Sequence, residues 1–266
     1  MNTLAYEKVK TARSNNRPTG LDYIKGTFSG FFELHGDRRY ADDPAIAGGL
    51  AYLIDLPVTV IAIEKGHDTK ERTKRSFGAP NPEGYRKALR LMKQAEKFRR
   101  PVVCFVDTSG ACCGIGAEER GQGQAIAENL MTMMTLSVPV ITIFIGEGGS
   151  GGALALAVAD RIWMLENAVY SVISPEGCAS ILWKEPAKAE EAAAYLKLTA
   201  QDALHYGIAD EILTEKDLGQ QAFYNNLQNK LDIELHSLLT DTDLLQKRYN
   251  RFRIFGKNET DQGSQA

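Results

Sequence analysis

Val138-Pro-Val-Ile-Thr-Ile-Phe-Ile-Gly-Glu-Gly-Gly-Ser-Gly-Gly-Ala153 passes from an apolar run straight into a cluster of glycines. Residues 138–145 have the length and β-branched content of a buried strand. The Ala- and Leu-rich residues beyond Gly152 predict a helix through Ala159. Gly146–Gly152 then reads as a loop joining the carboxyl end of a strand to a helix, and it satisfies three motifs at once. Gly146, Gly148 and Gly151 fit G-x-G-x-x-G, with Glu166 twenty residues beyond Gly146, the pattern of a dinucleotide site in an NAD-dependent oxidoreductase. Gly148, Ser150 and Gly152 fit the G-x-S-x-G elbow of a hydrolase, with His205 or His236 as base and Asp160 or Asp210 to orient it. The third reading is a turn whose backbone N–H groups approach a ligand oxygen at a helix start, as in an oxyanion hole. Tight packing of a helix on a sheet explains one glycine-rich turn equally well.

The same grammar recurs on both sides of this segment. Residues 57–63 read as a buried strand. Residues 84–100 read as a helix, with Ala88, Leu91, Met92 and Ala95 at i, i+3, i+4 and i+7. Residues 101–106 form the next strand, and Asp107–Gly116 is a second glycine-rich loop carrying Gly110, Gly114 and Gly116. A helix follows near Glu118 and Glu119, whose charges suit its amino-terminal dipole. Residues 161–165 and 208–213 are short strands. Ser174-Pro-Glu-Gly177 has a capping Ser and a Pro at the first helical position. Strands alternating with helices predict an α/β fold with mostly parallel strands, and function gathers at the carboxyl ends of such strands. Two glycine-rich connections at that end can put N–H donors on both sides of one pocket. Residues 1–20, polar and without a clear period, read as an arm. Residues 21–256 read as one domain with a mainly helical carboxyl-terminal third, and 257–266 as a disordered tail.

The 266 residues carry 31 Lys and Arg against 34 Asp and Glu, a formal charge of −3, which argues against a whole-molecule grip on nucleic acid. The longest apolar run is strand-sized, so no membrane span is expected, and the first residues lack the apolar core of a signal peptide. Cys104, Cys112, Cys113 and Cys178 contain no C-x-x-C pair, so neither a zinc site nor a disulfide scaffold is expected and a reducing cytoplasm is the simplest compartment. His35, His67, His205 and His236 have no metal-like spacing.

Several blocks in one order carry a family resemblance: Phe31-Phe-Glu-Leu-His-Gly-Asp-Arg38, Asp68-Thr-Lys-Glu-Arg72, Pro82-Glu-Gly-Tyr-Arg-Lys-Ala-Leu-Arg-Leu-Met-Lys93, Asp107-Thr-Ser-Gly-Ala-Cys-Cys-Gly-Ile-Gly-Ala-Glu-Glu-Arg-Gly-Gln122, Gly146-Glu-Gly-Gly-Ser-Gly-Gly-Ala153 and Tyr170-Ser-Val-Ile-Ser-Pro-Glu-Gly-Cys-Ala-Ser-Ile-Leu-Trp-Lys184. Together they resemble the alpha subunits of bacterial acetyl-CoA carboxylase carboxyltransferase, from about Leu21 into the 250s. The first loop departs from the family's usual D-T-P-G-A-Y-P-G at Ser109, Cys112 and Cys113, losing two prolines and a tyrosine.

The resemblance implies a crotonase-like fold of stacked ββα superhelical turns. It implies transfer of a carboxyl group from carboxybiotin, on a biotin carboxyl carrier protein, to acetyl-CoA, giving malonyl-CoA for fatty acid biosynthesis. It also implies a beta subunit of the same fold in an alpha2beta2 heterotetramer. That partner would carry the only zinc and bind the CoA ester, while biotin carboxylase uses ATP elsewhere in the complex. Backbone amides of Gly151, Gly152 and Ala153 are the expected oxyanion-hole donors. Gly110, Gly114, Ile115, Gly116, Gly148 and Gly149 are expected on the carboxybiotin side. The biotin anion can act as base, which suits a sequence without a persuasive His/Asp/Ser constellation. A paralogue that pairs with a beta subunit but turns over poorly is the non-enzymatic alternative.

Other side chains carry weaker expectations. Lys65, His67, Lys70, Arg72, Lys74, Arg75, Arg86 and Arg90 form a basic stretch. It reads as a solvated face with subunit ion pairs, or as an attractor of CoA phosphates or of an acidic carrier, the 68–75 loop being the better candidate. Cys112 and Cys113 read as packing residues rather than nucleophiles.

Overall fold

The computed structural model describes residues 3–255, so the expected 257–266 tail lies outside the described residues. The strands are β1 (Ser29–Glu33), β2 (Ile46–Leu53), β3 (Leu56–Ile63), β4 (Val102–Thr108), β5 (Val140–Gly149), β6 (Arg161–Leu165), β7 (Val169–Ser171) and β8 (Glu211–Leu213). They form one mixed sheet in the order β1-β2-β3-β4-β5-β6-β8, with β7 also paired to β5. β1–β2 and β2–β3 are antiparallel, and the remaining pairings are parallel. The helices are α1 (Thr3–Ala12), α2 (Gly20–Thr27), α3 (Thr69–Lys74), α4 (Pro82–Lys97), α5 (Ile115–Glu119), α6 (Gln122–Thr135), α7 (Ser150–Leu154), α8 (Pro175–Trp183), α9 (Ala189–Leu196), α10 (Ala200–His205), α11 (Gln221–Leu239) and α12 (Leu244–Ile254).

β4 is buried along its whole length, which is why Val-Val-Cys-Phe-Val reads as a continuous apolar run rather than an alternating one. α4 buries Ala88, Leu91, Met92 and Ala95, the face its periodicity predicts. α8 starts where its cap chemistry places it: Ser174 Oγ accepts from the Gly177 N–H at 3.1 Å, with Pro175 next. β1 and β2 escape a propensity reading because β2 contains Gly48 and Gly49, weak strand formers. A side chain at Gly49 would meet the Phe32 carbonyl of β1, so close backbone approach demands glycine there.

Two expectations are corrected. Residues 3–12 do have a helical period, since Ala5, Val9 and Ala12 are buried in a small cluster with Val169, Ala193 and Leu198. The residues behind this helix are pinned too: Arg17 makes a two-pronged ion pair with Glu215 and donates to the Ile145 carbonyl at 3.0 Å. The polar composition of 1–20 reflects these long-range partners. Second, Gly146–Gly149 are strand, not loop. β5 runs through Gly149, pairing Gly148 with Thr108 of β4 and Tyr170 of β7, and α7 stops at Leu154.

α12 closes the domain through one residue. Arg248 is fully buried; its Nε and NH2 reach the Asp160 carboxylate at 2.8 and 2.6 Å. Its NH1 serves the Met133 and Leu136 carbonyls, and NH2 also serves that of Val138. The second oxygen of Asp160 also accepts from the Val140 N–H at the entry to β5. This buried cation thus has a partner for each nitrogen, as burial requires.

Candidate functional site

The carboxyl ends of β4 and β5 lie side by side, and the two glycine-rich segments meet there. Gly149 has no room for a side chain, because a Cβ would strike the Ser109 carbonyl and come within 2.8 Å of the Gly110 nitrogen. A Cβ on Gly152 would lie 2.5 Å from the Ala111 nitrogen and 2.9 Å from the Tyr85 hydroxyl. Gly146 gives way to the Asp107 carboxylate, and Gly148 to the Phe144 and Tyr170 rings, whose centroids are 4.5 Å apart. Ser150 turns the chain from strand to helix with φ of 47°, a left-handed conformation unusual for a side-chain-bearing residue.

The amides divide sharply. The Gly110 N–H is bound by Thr108 Oγ1 at 3.0 Å, and that hydroxyl donates back to the Gly110 carbonyl at 2.8 Å. The Cys112 N–H is bound by the Pro80 carbonyl at 3.0 Å. Gly148 lies in the β5 ladder. In contrast, among the described residues the N–H groups of Gly114, Ile115 and Gly116 have no hydrogen-bond acceptor, since the α5 ladder begins with Ala117 and Glu118 donating to the Gly114 carbonyl. Gly114 and Ile115 are exposed and Gly116 is half-buried. At α7 the amides of Gly151 and Gly152 precede the helical ladder, whereas Ala153 stands where helical geometry directs its N–H to the Gly149 carbonyl.

The amino-terminal half of α4 is the platform beneath both turns, a role the sequence reading did not assign to it. The buried Tyr85 hydroxyl donates to the Gly152 carbonyl at 3.2 Å, and burial drives its pKa far above the usual tyrosine range. Gln122, at the start of α6, donates through Nε2 to the Pro80 and Cys112 carbonyls at 2.8 and 2.9 Å. Glu83 pairs with Arg120, whose guanidinium lies 5.0 Å from the Tyr40 ring centroid. Arg86 binds Asp37 at 2.7 Å and the Arg120 carbonyl at 2.9 Å. Lys87, completely buried, binds Asp42 at 2.6 Å and the Asp43 carbonyl at 2.8 Å. Burial opposes ionisation of Asp42, but the Lys87 ion pair and the Gly36 N–H overcome it and hold the carboxyl at about 2. The signal for this platform is in the sequence: Glu83, Arg86 and Lys87 share the stretch that also carries the apolar face, and charged residues tolerate burial only when paired.

A charged cluster flanks the other side of the strand ends. Lys65 Nζ is 2.5 Å from Asp107 and 3.7 Å from Glu147; Arg13 joins Glu147 at 2.7 Å and Glu176 at 2.8 Å. Burial raises the Asp107 pKa against the opposing pull of Lys65. Arg13, Lys65, Asp107 and Glu147, with Arg17, Arg72 and Ser109, line a cavity of about 160 Å³. The basic stretch is therefore largely answered from within. Besides Lys65 and Arg86, Arg75 donates to the Pro44 carbonyl, Arg72 to the Gly66 carbonyl and Asn15, and Arg90 to the Gly36 carbonyl; His67 sits 3.0 Å from Asp22.

The two side-chain readings of Gly146–Gly152 do not survive. A dinucleotide turn needs Gly146 and Gly148 in a loop, and both lie in a paired strand followed by a helix of five residues. Ser150 has elbow-like backbone, yet among the described residues no histidine hydrogen-bonds to it. The His205 ring meets Tyr206 edge-on, and His236 faces the Asp232 carbonyl. Asp160 and Asp210 are already engaged by Arg248 and Arg251. Among the described residues no group of His, Cys, Asp and Glu is arranged to hold a metal ion, and no helix is long and apolar enough to cross a membrane.

What remains at the first turn is a run of main-chain N–H groups without acceptors, on an α/β frame. The family described as acetyl co-enzyme A carboxylase carboxyltransferase-like matches residues 1–256. The chain belongs to this family. Over 257 residues it is 60% identical to the acetyl-coenzyme A carboxylase carboxyl transferase subunit alpha of Ruminiclostridium cellulolyticum, covering 95% of this chain and 98% of the relative. Over 261 residues it is 60% identical to a protein of Natranaerobius thermophilus named as subunits beta/alpha, covering 95% of this chain and 43% of that one. Among solved structures, a Pseudomonas malonate decarboxylase hetero-tetramer in complex with coenzyme A superposes with a TM-score of 0.71 at 19% identity, covering 92% of this chain and 98% of that one. Transcarboxylase 12S superposes at 0.67, also at 19% identity, covering 87% of this chain and 44% of that one. The carboxyltransferase family carries the crotonase-like α/β fold, and the chain is an enzyme of this transferase class. Its chemistry depends on CoA esters and biotin.

Proposed function

We propose that this chain is the alpha half of an acetyl-CoA carboxylase carboxyltransferase and contributes the amide-lined biotin side of a site shared with a beta subunit. The observation that carries the reading is the run of three acceptor-free N–H groups at Gly114, Ile115 and Gly116, in the loop whose residues Ser109, Gly110 and Ala111 press on Gly149 and Gly152. Nothing approaches within 4 Å of a side chain built at Gly110 or Gly114, so the mouth has space for a ligand ring. These features fit the biotin ureido group, a neutral ring whose oxygen needs donors rather than a counter-ion. Carboxybiotin, when bound, supplies the carboxyl group that acetyl-CoA receives to become malonyl-CoA.

The chain's own contribution is preorganised polarity. In this reading the amides of Gly114, Ile115 and Gly116, with those of Gly151 and Gly152 at the start of α7, serve developing negative charge at no reorganisation cost. Tyr85, Gln122 and the Glu83–Arg120 pair hold the two turns at fixed spacing. No side chain of this chain is asked to move a proton.

The assembly follows the family. A beta subunit of the same fold binds the CoA ester and carries the zinc, in an alpha2beta2 heterotetramer. The carrier protein delivers biotin, recharged by biotin carboxylase with ATP. A relative in which beta and alpha form one polypeptide, of which this chain spans 43%, supports the beta partner. The changes at Ser109, Cys112 and Cys113 do not leave the first loop unsupported, because Pro80 and Gln122 grip the Cys112 backbone.

Ile115→Pro tests the reading. Position 115 opens α5, where proline is best tolerated, and Gly114 already has φ −76° and ψ 155°, the conformation a following proline demands. The variant keeps the fold and deletes one donor. Reconstituted with beta subunit and biotinyl carrier, its malonyl-CoA formation should fall roughly 10²–10³-fold with unchanged thermal unfolding; unaltered turnover rejects the amide assignment. Wild-type chain that assembles with beta yet yields no malonyl-CoA would identify a non-catalytic paralogue instead.

A further inference from the structure

The four cysteines, all free, fall into two classes. Cys104 and Cys178 are buried, and burial pushes the Cys104 thiol up to about 12. Cys112 is half-buried and Cys113 exposed; they are adjacent, and both sit in the first turn of the candidate site. Neither sulfur has a hydrogen-bond partner among the described residues. The carboxylate and amide networks around them pass by: Glu83 is taken by Arg120, and Gln122 binds the Cys112 carbonyl rather than its side chain. The backbone is held on one side and free on the other. Cys112 is gripped through its N–H and C=O, whereas Gly114, next after Cys113, has nothing within 4 Å of a would-be side chain. Two accessible thiols on consecutive residues, one anchored and one beside an unobstructed glycine, make a bidentate thiol site.

We propose that Cys112 and Cys113 form a dithiol modification site, oxidised by hydroperoxides to a disulfide between neighbouring residues, which turns the Gly114–Gly116 amides away from the pocket. The chemistry balances with hydrogen peroxide as oxidant. The Cys113 thiolate attacks one peroxide oxygen, forming an S–O bond and releasing hydroxide, which takes up a proton to become water. The Cys112 thiol then attacks the sulfenic sulfur, forming S–S and releasing a second water. Two thiols lose two electrons and the peroxide gains them. Closing so small a ring includes the Cys112–Cys113 peptide, which must rotate. The Cys112 carbonyl then leaves Gln122, and the amides that follow are redirected. This last consequence, unlike the chemistry, rests on the amide reading above.

The test uses the full chain, alone and assembled with a beta subunit. Stoichiometric hydrogen peroxide is followed by alkylation and peptide mapping. The expected product is a peptide holding residues 112 and 113 lighter by two hydrogens, restored by dithiothreitol, with Cys104 and Cys178 unreacted until the chain is unfolded. Phenylarsine oxide, a dithiol-specific probe, should bind the wild type and lose binding in both Cys112→Ser and Cys113→Ser. Malonyl-CoA formation should drop roughly tenfold or more on oxidation, recover with dithiothreitol, and resist peroxide in the double serine variant. Chain-to-chain disulfides, or sulfinic acid on Cys113 with Cys112 still alkylatable, would overturn the site. An internal disulfide with undiminished turnover would overturn the switch. Untreated enzyme that makes no malonyl-CoA would count against the proposed function, while the mass readout still judges the dithiol.

Discussion

Gly110–Gly116 and Gly146–Gly152 are alike in composition and opposite in structure. Around the first, side chains built at Gly110 and Gly114 meet nothing, three amides lack acceptors, and no residue is buried. Around the second, Gly146, Gly148, Gly149 and Gly152 are each pressed against a carboxylate, an aromatic ring or a backbone. Glycine in the first turn keeps a surface open; in the second it lets strands and turns approach closely. The second segment therefore fixes the position of the first, and the proposed donor site uses both: one part too crowded to shift, another bare enough to receive a ligand.

The strongest way to break this contrast is Gly149→Ala. Its methyl group would collide with the Ser109 carbonyl, a rigid backbone atom, so the loss should reach about 3 kcal/mol in urea unfolding; a neutral result would show the second turn to be as loose as the first. Tyr85→Phe removes the donor to the buried Gly152 carbonyl and should cost about 1–2 kcal/mol, with a fall in kcat larger than any change in KM, measured by unfolding and by steady-state assay. Equal stability with equal kcat would separate α4 from the site. The platform also has a pH signature. Asp42 ionises in the folded state at about 2, below its ordinary value of 3.8, so its stabilisation is complete above the ordinary value and disappears as pH falls from there through about 2. Urea midpoints between pH 5 and 2 should decline less steeply in Asp42→Asn than in wild type. The smallest effect belongs to Gly114→Ala, expected within about 0.5 kcal/mol of wild type by thermal unfolding, because its methyl group meets only solvent.

Much of the frame was legible in the residues. The apolar runs at 57–63, 101–106 and 138–145 became β3, β4 and β5, and Ser174-Pro175 began α8 as its cap chemistry dictates. The first turn was legible as a glycine-rich strand-to-helix connection because Gly110, Gly114 and Gly116 follow β4 and precede α5. What was hidden depends on partners distant in sequence. β5 extends through Gly149 because β4 and β7 flank it, and no local propensity for strand exists in Gly-Glu-Gly-Gly. The period of α1 was masked by its lysines, of which Lys8 reaches Glu166 and Asn167, and the order of the residues behind it by Arg13 and Arg17, whose partners Glu147, Glu176 and Glu215 likewise lie more than a hundred residues away. Much of the ligand-like basic stretch likewise resolved into internal partners: Lys65, His67 and Arg86 meet carboxylates, and Arg72, Arg75 and Arg90 donate to backbone carbonyls. Charge read along a chain gives sign and number, whereas burial and partner are set by the fold.

Arg248 carries a consequence for biosynthesis. Until α12 is available, Asp160 is a carboxylate facing the entry to β5 with no cation, and the carbonyls of Met133, Leu136 and Val138 lack their shared donor. A nascent polypeptide still short of that helix can collapse around its strands but must keep this corner hydrated. Completion of the interior is thus deferred until the last described helix emerges from the ribosome, and a prematurely terminated product exposes a wet, unlatched seam to proteolytic quality control.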